Sequence, residues 1–204
     1  MALIYTVGHS THPIETFMSL LKRSGITAIG DVRSSPRSRI NPQYNQGSLK
    51  ESLREAGIVY VFLGRELGAR PDDPGCYEAG CVHYDRIAGT PFFARGLDRV
   101  AEGTKHYRLA LMCAEKEPLD CHRTILVARH LVERGHQVQH ILADGILEDH
   151  SATMARLMQR QGLDTGDMFR SEVELVAKAY SLREGDIAYA SSPETTLARS
   201  GETR

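Results

Sequence analysis

Net charge is almost absent from this sequence. Its 25 Lys and Arg against 26 Asp and Glu leave a formal charge of -1, so no global field draws the chain to nucleic acid or to an anionic membrane, and any electrostatic partner must be recruited locally. Long apolar runs are missing too. Residues 1–7 have neither the basic flank nor the apolar length of a secretory signal, and no later run approaches the roughly 20 apolar residues of a membrane span. A cytoplasmic protein without a membrane partner is the expectation. Cysteine is scarce: four in 204 residues are too few for a disulfide framework in a chain of this size without a secretory signal, which leaves the thiols as free groups, ligands or redox centres.

What is present has the balance of a globular domain, with 41% apolar and 25% charged residues. The length suits one domain of ordinary size, residues 1–180, followed by a polar tail over 181–204. Apolar, β-branched runs at Leu3–Val7, Ile26–Val32, Ile58–Leu63, Leu109–Cys113 and Gln137–Leu142 predict five strands. Between them Ile14–Arg23, Ser48–Ala56, the segment after Thr90-Pro91 and the segment after Cys121 carry apolar residues at helical spacing, with helical patterns again over Ala152–Gln161 and Glu172–Tyr180. Strands alternating with helices predict an α/β fold: a mostly parallel sheet of about five strands with helices on both faces. Residues 64–89 show no sustained periodicity and read as a long loop carrying Cys76 and Cys81.

In a parallel sheet of this kind ligands bind beyond the carboxyl ends of the strands. That rule gathers His9, Asp31, Arg33, the 64–89 loop, Cys113 and Asp144 at one edge, together with the helix start at Cys121-His122-Arg123. Cys113 closes a strand, where a thiol is equally at home as a small buried hydrophobe. Cys121 sits in the first turn of a helix, capped by Asp120, where the backbone N–H groups favour a thiolate and His122 and Arg123 add positive charge. Glu115, Glu117 and Asp120 work against this by raising thiol pKa values and repelling phosphate. Arg123 also follows Cys113 too late for a phosphatase loop, which ranks phosphoryl transfer below other thiol chemistry. Cys113, Cys121, His122 and His9 could ligate a metal, but their spacing is not that of a standard zinc module, so no metal site and no cofactor is specified.

A second constellation is basic. From Arg33 to Lys50 the chain carries Arg33, Arg37, Arg39 and Lys50 and no acidic residue, with Asn41, Gln43, Tyr44 and Asn45 among them. Such a loop can hold a phosphate, a nucleotide or a nucleic-acid backbone, or it can pair with the acidic loops nearby. His9, within Gly-His-Ser at a strand end, is placed as an acid or base. His140 lies inside a strand and reads as structural; His12, His83, His106, His130, His136 and His150 read as surface residues.

These motifs together are recognisable. Thr6-Val7-Gly8-His9-Ser10, Asp31-Val32-Arg33 with Pro36 and Ser38-Arg39, Leu67-Gly68, Cys113-Ala114-Glu115 and Pro118 with Cys121-His122-Arg123 resemble the bacterial family called domain of unknown function 488, over roughly Leu3 to Asp144. A more distant likeness is to rhodanese-type sulfurtransferases, through Asp31-Val32-Arg33, Cys113, Arg123, Gly135 and the strand to Gly145. The combined expectation is a thiol-dependent enzyme acting on a small or nucleotide-like anion. Cys113, Cys121, His9 and Asp31 would be catalytic, and Ser10, Arg33, Arg37, Arg39, Glu115, His122 and Arg123 would bind substrate. The alternative is a nucleic-acid-binding or repair-associated module using the basic loop over residues 33–50, with structural or metal-bound cysteines.

Overall fold

The computed structural model describes residues 1–163 and 171–190. In chain order the main elements are β1 (Leu3–Gly8), α1 (Ile14–Arg23), β2 (Ala28–Asp31), α2 (Gln46–Glu55), β3 (Val59–Phe62), α3 (Gly64–Leu67), β4 (Tyr77–Glu78), β5 (Cys81–Val82), α4 (Tyr84–Ala88), α5 (Pro91–Gly103), β6 (Leu109–Cys113), a π-helical segment Arg123–Ala128 running into α6 (Arg129–Glu133), β7 (Gln137–Ile141), β8 (Leu147–Asp149), α7 (His150–Arg160) and α8 (Glu172–Ile187). The principal sheet has the order β3-β2-β6-β1-β7-β8, and β4 and β5 form a separate hairpin. All neighbours in the principal sheet pair in parallel except β7 with β8. The α/β class and the mostly parallel sheet therefore hold.

The central strand β6 explains the arrangement. All five of its residues are buried, as a strand covered on both faces requires. Because side chains alternate along a strand, Leu109, Leu111 and Cys113 enter one apolar cluster with α5 and the segment after Cys121, while Ala110 and Met112 enter the other with Phe17, Leu20 and Leu21 of α1 and Leu49 and Leu53 of α2. This parity puts the Cys113 thiol on the same face as the helix that begins at Cys121. The cap at Thr90 forms as its sequence suggests, accepting from the Phe93 N–H at 3.1 Å with Pro91 opening α5.

One expectation is refined and two need correction. A sixth strand, β8, adds antiparallel to the sheet edge; at three residues it is too short to display a period. The 64–89 stretch is not a loop without structure, since α3, the β4–β5 hairpin and α4 occupy it, each again shorter than the window in which periodicity is legible. The polar tail does not begin at Ser181, because α8 continues through Ile187. Arg183 secures that turn by donating to the Leu119 carbonyl at 2.9 Å and the Asp120 carboxylate at 2.6 Å, and Glu184 accepts from the Tyr84 N–H at 2.7 Å. The remainder of the expected tail, from residue 191, lies outside the described residues.

The carboxyl ends of β1, β2 and β6 lie side by side. The His9 N–H donates to the Cys113 carbonyl at 2.9 Å and the Val32 N–H to the Met112 carbonyl at 3.0 Å. Gly8 is the position that permits this crossing: a Cβ there would stand 1.9 Å from the Glu115 carbonyl oxygen, so only glycine lets the chain leaving β6 pass over the end of β1.

Candidate functional site

Beyond those strand ends, Cys113, Cys121 and His122 converge. The relative exposures are 3%, 1% and 8%. The His122 Nδ1 lies 3.7 Å from the Cys113 Sγ and 4.0 Å from the Cys121 Sγ, and the three ligand-type atoms are all within 4.8 Å of one another. His122 Nε2 stands 3.0 Å from the Val32 carbonyl. A carbonyl only accepts, so Nε2 carries the proton, and in the neutral ring the Nδ1 lone pair faces both sulfurs. Cys121 also serves the helix it opens. Its carbonyl accepts from the Thr124 and Ile125 N–H groups at 3.0 and 3.2 Å, and its Sγ accepts from the Arg123 N–H at 3.4 Å. The sulfur thus takes the capping place expected of Asp120. The first turns of this helix are π-helical, a local widening that recurs at functional sites.

The charges in this cluster compete. Burial and the neighbouring Cys121 raise the Cys113 thiol well above its ordinary value. Burial acts in the same direction on Cys121, but the Cys113 hydrogen bond, Arg123 and His122 outweigh it and bring that thiol well below the ordinary range. Burial opposes the imidazolium of His122, yet its contact with Cys121 more than compensates and raises it. Glu115, raised by burial and by Cys121, has its Oε2 3.0 Å from the Cys121 Sγ, within hydrogen-bonding distance of the thiol. The surroundings therefore ease loss of the proton from Cys121 and oppose it at Cys113, with a carboxyl group in contact with the former.

The other wall is built on Arg33. Asp31 receives its Nε at 2.9 Å, its Nη2 at 2.6 Å and its backbone N–H at 3.1 Å, and Tyr60 donates its hydroxyl to the same carboxylate at 2.8 Å. Asp31 is fully buried, and both of its carboxylate oxygens are engaged in this way. Arg33 Nη2 also donates to the Tyr44 carbonyl at 2.9 Å, and Nη1 to His9 Nε2 at 3.2 Å, leaving one Nη1 hydrogen for a ligand. His9 stacks on Tyr44 with centroids 4.0 Å apart and donates through Nδ1 to the Ser10 carbonyl at 2.8 Å. Burial lowers its pKa to about 4. It is a neutral acceptor for Arg33, and the imidazole in contact with the thiols is that of His122.

Arg123 is spent on structure. It is fully buried, donating to the Glu115 and Lys116 carbonyls at 2.7 and 3.3 Å, so it shapes the loop that passes Gly8 and offers no guanidinium face to a substrate. The expected repulsion by the three loop carboxylates is also answered, though not from the basic loop. Glu117 pairs with Arg156 at 2.9 Å, and Asp120 with Arg183 at 2.6 Å and Arg160 at 3.6 Å, so α7 and α8 neutralise both. Glu115 alone remains at the thiols.

Two cavities adjoin here. One of about 290 Å³ is lined by Cys113, Cys121, His122 and Glu115 on one side and by Arg33, Arg37 and Arg70 on the other, with Tyr84 and Tyr189. The second, about 390 Å³, holds His9, Ser10 and Lys116 and shares Arg33, Arg37 and Glu115 with the first. Arg39 is exposed and lines neither, and Asp144 is an exposed turn residue accepting from the Ile146 N–H at 2.9 Å. Arg70, Tyr84 and Tyr189 were not anticipated. Arg70 stands in a stretch that lacks periodicity, and Tyr189 reaches the cleft only because α8 folds back, where Arg70 stacks over its ring at 4.2 Å. A larger cavity of about 690 Å³, between the start of β7 and helices α7 and α8, contains no thiol; the chemistry, not the volume, singles out the cleft.

A family model described as "Domain of unknown function DUF488" matches residues 13–130, more than half of the 204 residues. The chain belongs to this family. No curated protein and no solved structure matches it, and the sulfurtransferase likeness finds no support in these comparisons. The DUF488 stretch contains Asp31-Val32-Arg33, Cys113, Glu115 and Cys121-His122-Arg123, whereas the Gly8-His9-Ser10 turn and the neutralising helices α7 and α8 fall outside it. No described helix is long and apolar enough to cross a membrane.

Proposed function

We propose that this DUF488 protein is a cytosolic, thiol-dependent enzyme that acts on a small or nucleotide-like anion in the cleft between the Cys113–Cys121–His122 cluster and Arg33, Arg37 and Arg70. One observation carries the reading: two thiols and an imidazole lone pair, from two separate segments, open onto a cavity whose facing wall bears three guanidinium groups. Arg33 is held rigid by Asp31 and keeps one free donor for an anionic oxygen. Arg37 and Arg70 are exposed at the rim and complete the electrostatic side of the site. Glu115, in contact with Cys121, is the group placed to move a proton. A reducing compartment suits four cysteines that are all free.

Nucleic-acid binding through residues 33–50 has less behind it, since Arg33 is committed to Asp31 and Arg39 stands apart from the cleft. Calorimetric titration with inorganic phosphate and with a nucleoside monophosphate tests the proposal. Arg37→Ala combined with Arg70→Ala is expected to weaken binding about tenfold or more, as loss of charge-assisted hydrogen bonds should. Unchanged affinity in that variant, or steeply salt-dependent binding of DNA with none of phosphate or the nucleotide, would overturn it.

A further inference from the structure

We infer that Cys113, Cys121 and His122 form a binding site for a divalent, thiolate-preferring metal ion of the zinc type, with three protein ligands and a fourth position open to the cleft beside Glu115. The first support is shape. Tetrahedral coordination, with sulfur about 2.3 Å and nitrogen about 2.0 Å from the ion, separates ligand atoms by about 3.5–3.8 Å. The two sulfur-to-nitrogen distances here are 3.7 and 4.0 Å, and no pair in the cluster exceeds 4.8 Å. An ion therefore fits with side-chain adjustments of at most about 1 Å.

The second support is the imidazole. A metal-binding histidine characteristically donates its other ring N–H to a carbonyl or carboxylate, which fixes the ring and leaves the coordinating nitrogen bare. His122 has this arrangement, with Nε2 on the Val32 carbonyl at 3.0 Å. Val32 follows β2 and Cys113 ends β6, neighbouring strands in the sheet, so the backbone sets both the ring orientation and one of the sulfurs. The third support concerns protein reach. Among the described residues no fourth ligand joins the group, and all three members line the cavity that carries Arg33, Arg37 and Arg70. Three ligands facing an open cleft is the arrangement of a catalytic rather than a structural zinc ion. Glu115, 3.0 Å from the Cys121 sulfur, stands next to the open position without being needed as a ligand.

Binding balances simply. The ion displaces to solvent whatever protons the two thiols and the His122 Nδ1 still hold, Nε2 keeps its own proton on the Val32 carbonyl, and the two thiolates cancel the charge of the ion. Thiol dependence then means coordination rather than attack by sulfur on the substrate. The use of the fourth position rests on the functional reading given above; the metal site itself does not.

Full-length protein, stripped with chelator under reducing conditions, should take up one Zn²⁺ or Co²⁺ per chain, and the cobalt form should show thiolate-to-cobalt charge-transfer absorption in the near ultraviolet. Alkylation of Cys113 and Cys121, followed residue by residue by mass spectrometry, should slow at least tenfold when Zn²⁺ is bound. Cys81, which is exposed and outside the cluster, should react at one rate in both forms. Cys113→Ser and Cys121→Ser should each abolish the cobalt band, while Cys81→Ser keeps it. Absence of the cobalt band in folded unsubstituted protein, or alkylation of both thiols at the same rate with and without Zn²⁺, would overturn the inference even if the serine variants fail to fold. Phosphate binding by the stripped protein is measured separately. Its persistence with no metal uptake would leave the anion reading standing and the metal site refuted; metal uptake with no anion binding would do the reverse.

Discussion

Two buried histidine clusters sit on the same sheet, and they differ in what is left over. In the first, Thr6 Oγ1 lies 2.7 Å from His140 Nδ1, His140 Nε2 is 3.0 Å from His150 Nδ1, and His150 Nε2 is 2.8 Å from the Tyr180 hydroxyl. Every ring nitrogen has a partner, and both imidazoles are kept neutral, His150 by burial that lowers its pKa to about 4 and His140 by burial and the adjacent His150. In the second, His122 spends one nitrogen on a carbonyl and turns the other toward two sulfurs beside an open cleft. A closed chain of this sort ties β1, β7, α7 and α8 together and has no capacity for a ligand. An unspent lone pair among thiols does have it.

The largest effect is expected at Gly8. Gly8→Ala puts a Cβ 1.9 Å from the Glu115 backbone oxygen, so the loop between Cys113 and Cys121 must move. The expected cost is about 4 kcal/mol of stability in denaturant unfolding, at the upper end for single substitutions, together with loss of phosphate binding. A fully stable variant with the cleft intact would show that the crossing has slack.

The closed chain is tested by acid. His150 is neutral in the fold down to about pH 4 but takes a proton near pH 6.5 when unfolded. Its contribution is therefore complete above pH 6.5 and is lost as pH falls toward 4, by roughly 3 kcal/mol. Urea midpoints measured across that window should fall steadily, and His150→Phe should flatten the slope. An equally steep slope in His150→Phe would place the acid sensitivity elsewhere.

The smallest effects separate the two clusters most cleanly. Tyr180→Phe removes one end of the closed chain and should cost about 1 kcal/mol, with phosphate affinity unchanged. His122→Gln should cost about as much in stability yet eliminate cobalt binding. If Tyr180→Phe disturbed ligand binding and His122→Gln did not, the division into a structural and a chemical cluster would be wrong.

The sheet was largely legible in the residues. Runs such as Leu109–Cys113 are continuous and β-rich enough to declare a buried strand, and their alternation with amphipathic helices leaves little besides a parallel α/β sheet. What escaped, β8 and the pieces within residues 64–89, consists of segments shorter than any periodic signal. His150 is buried rather than on the surface, since its partners His140 and Tyr180 are remote in sequence from one another and meet only when α7 and α8 pack.

For the site, residue types and strand-end positions alone determined that His9, Arg33, Cys113 and Cys121 would gather at one edge, because parallel strands deliver their carboxyl termini together. Their roles were decided only by tertiary structure. Asp31 became the clamp on Arg33, His9 its neutral acceptor and Arg123 a prop for loop carbonyls, while Arg156, Arg160 and Arg183 relieved the acidic loop from helices far along the chain. The physical reason is that charge, protonation and free hydrogen-bonding capacity depend on which partners lie within a few ångströms, and those partners come from segments that the linear order keeps apart.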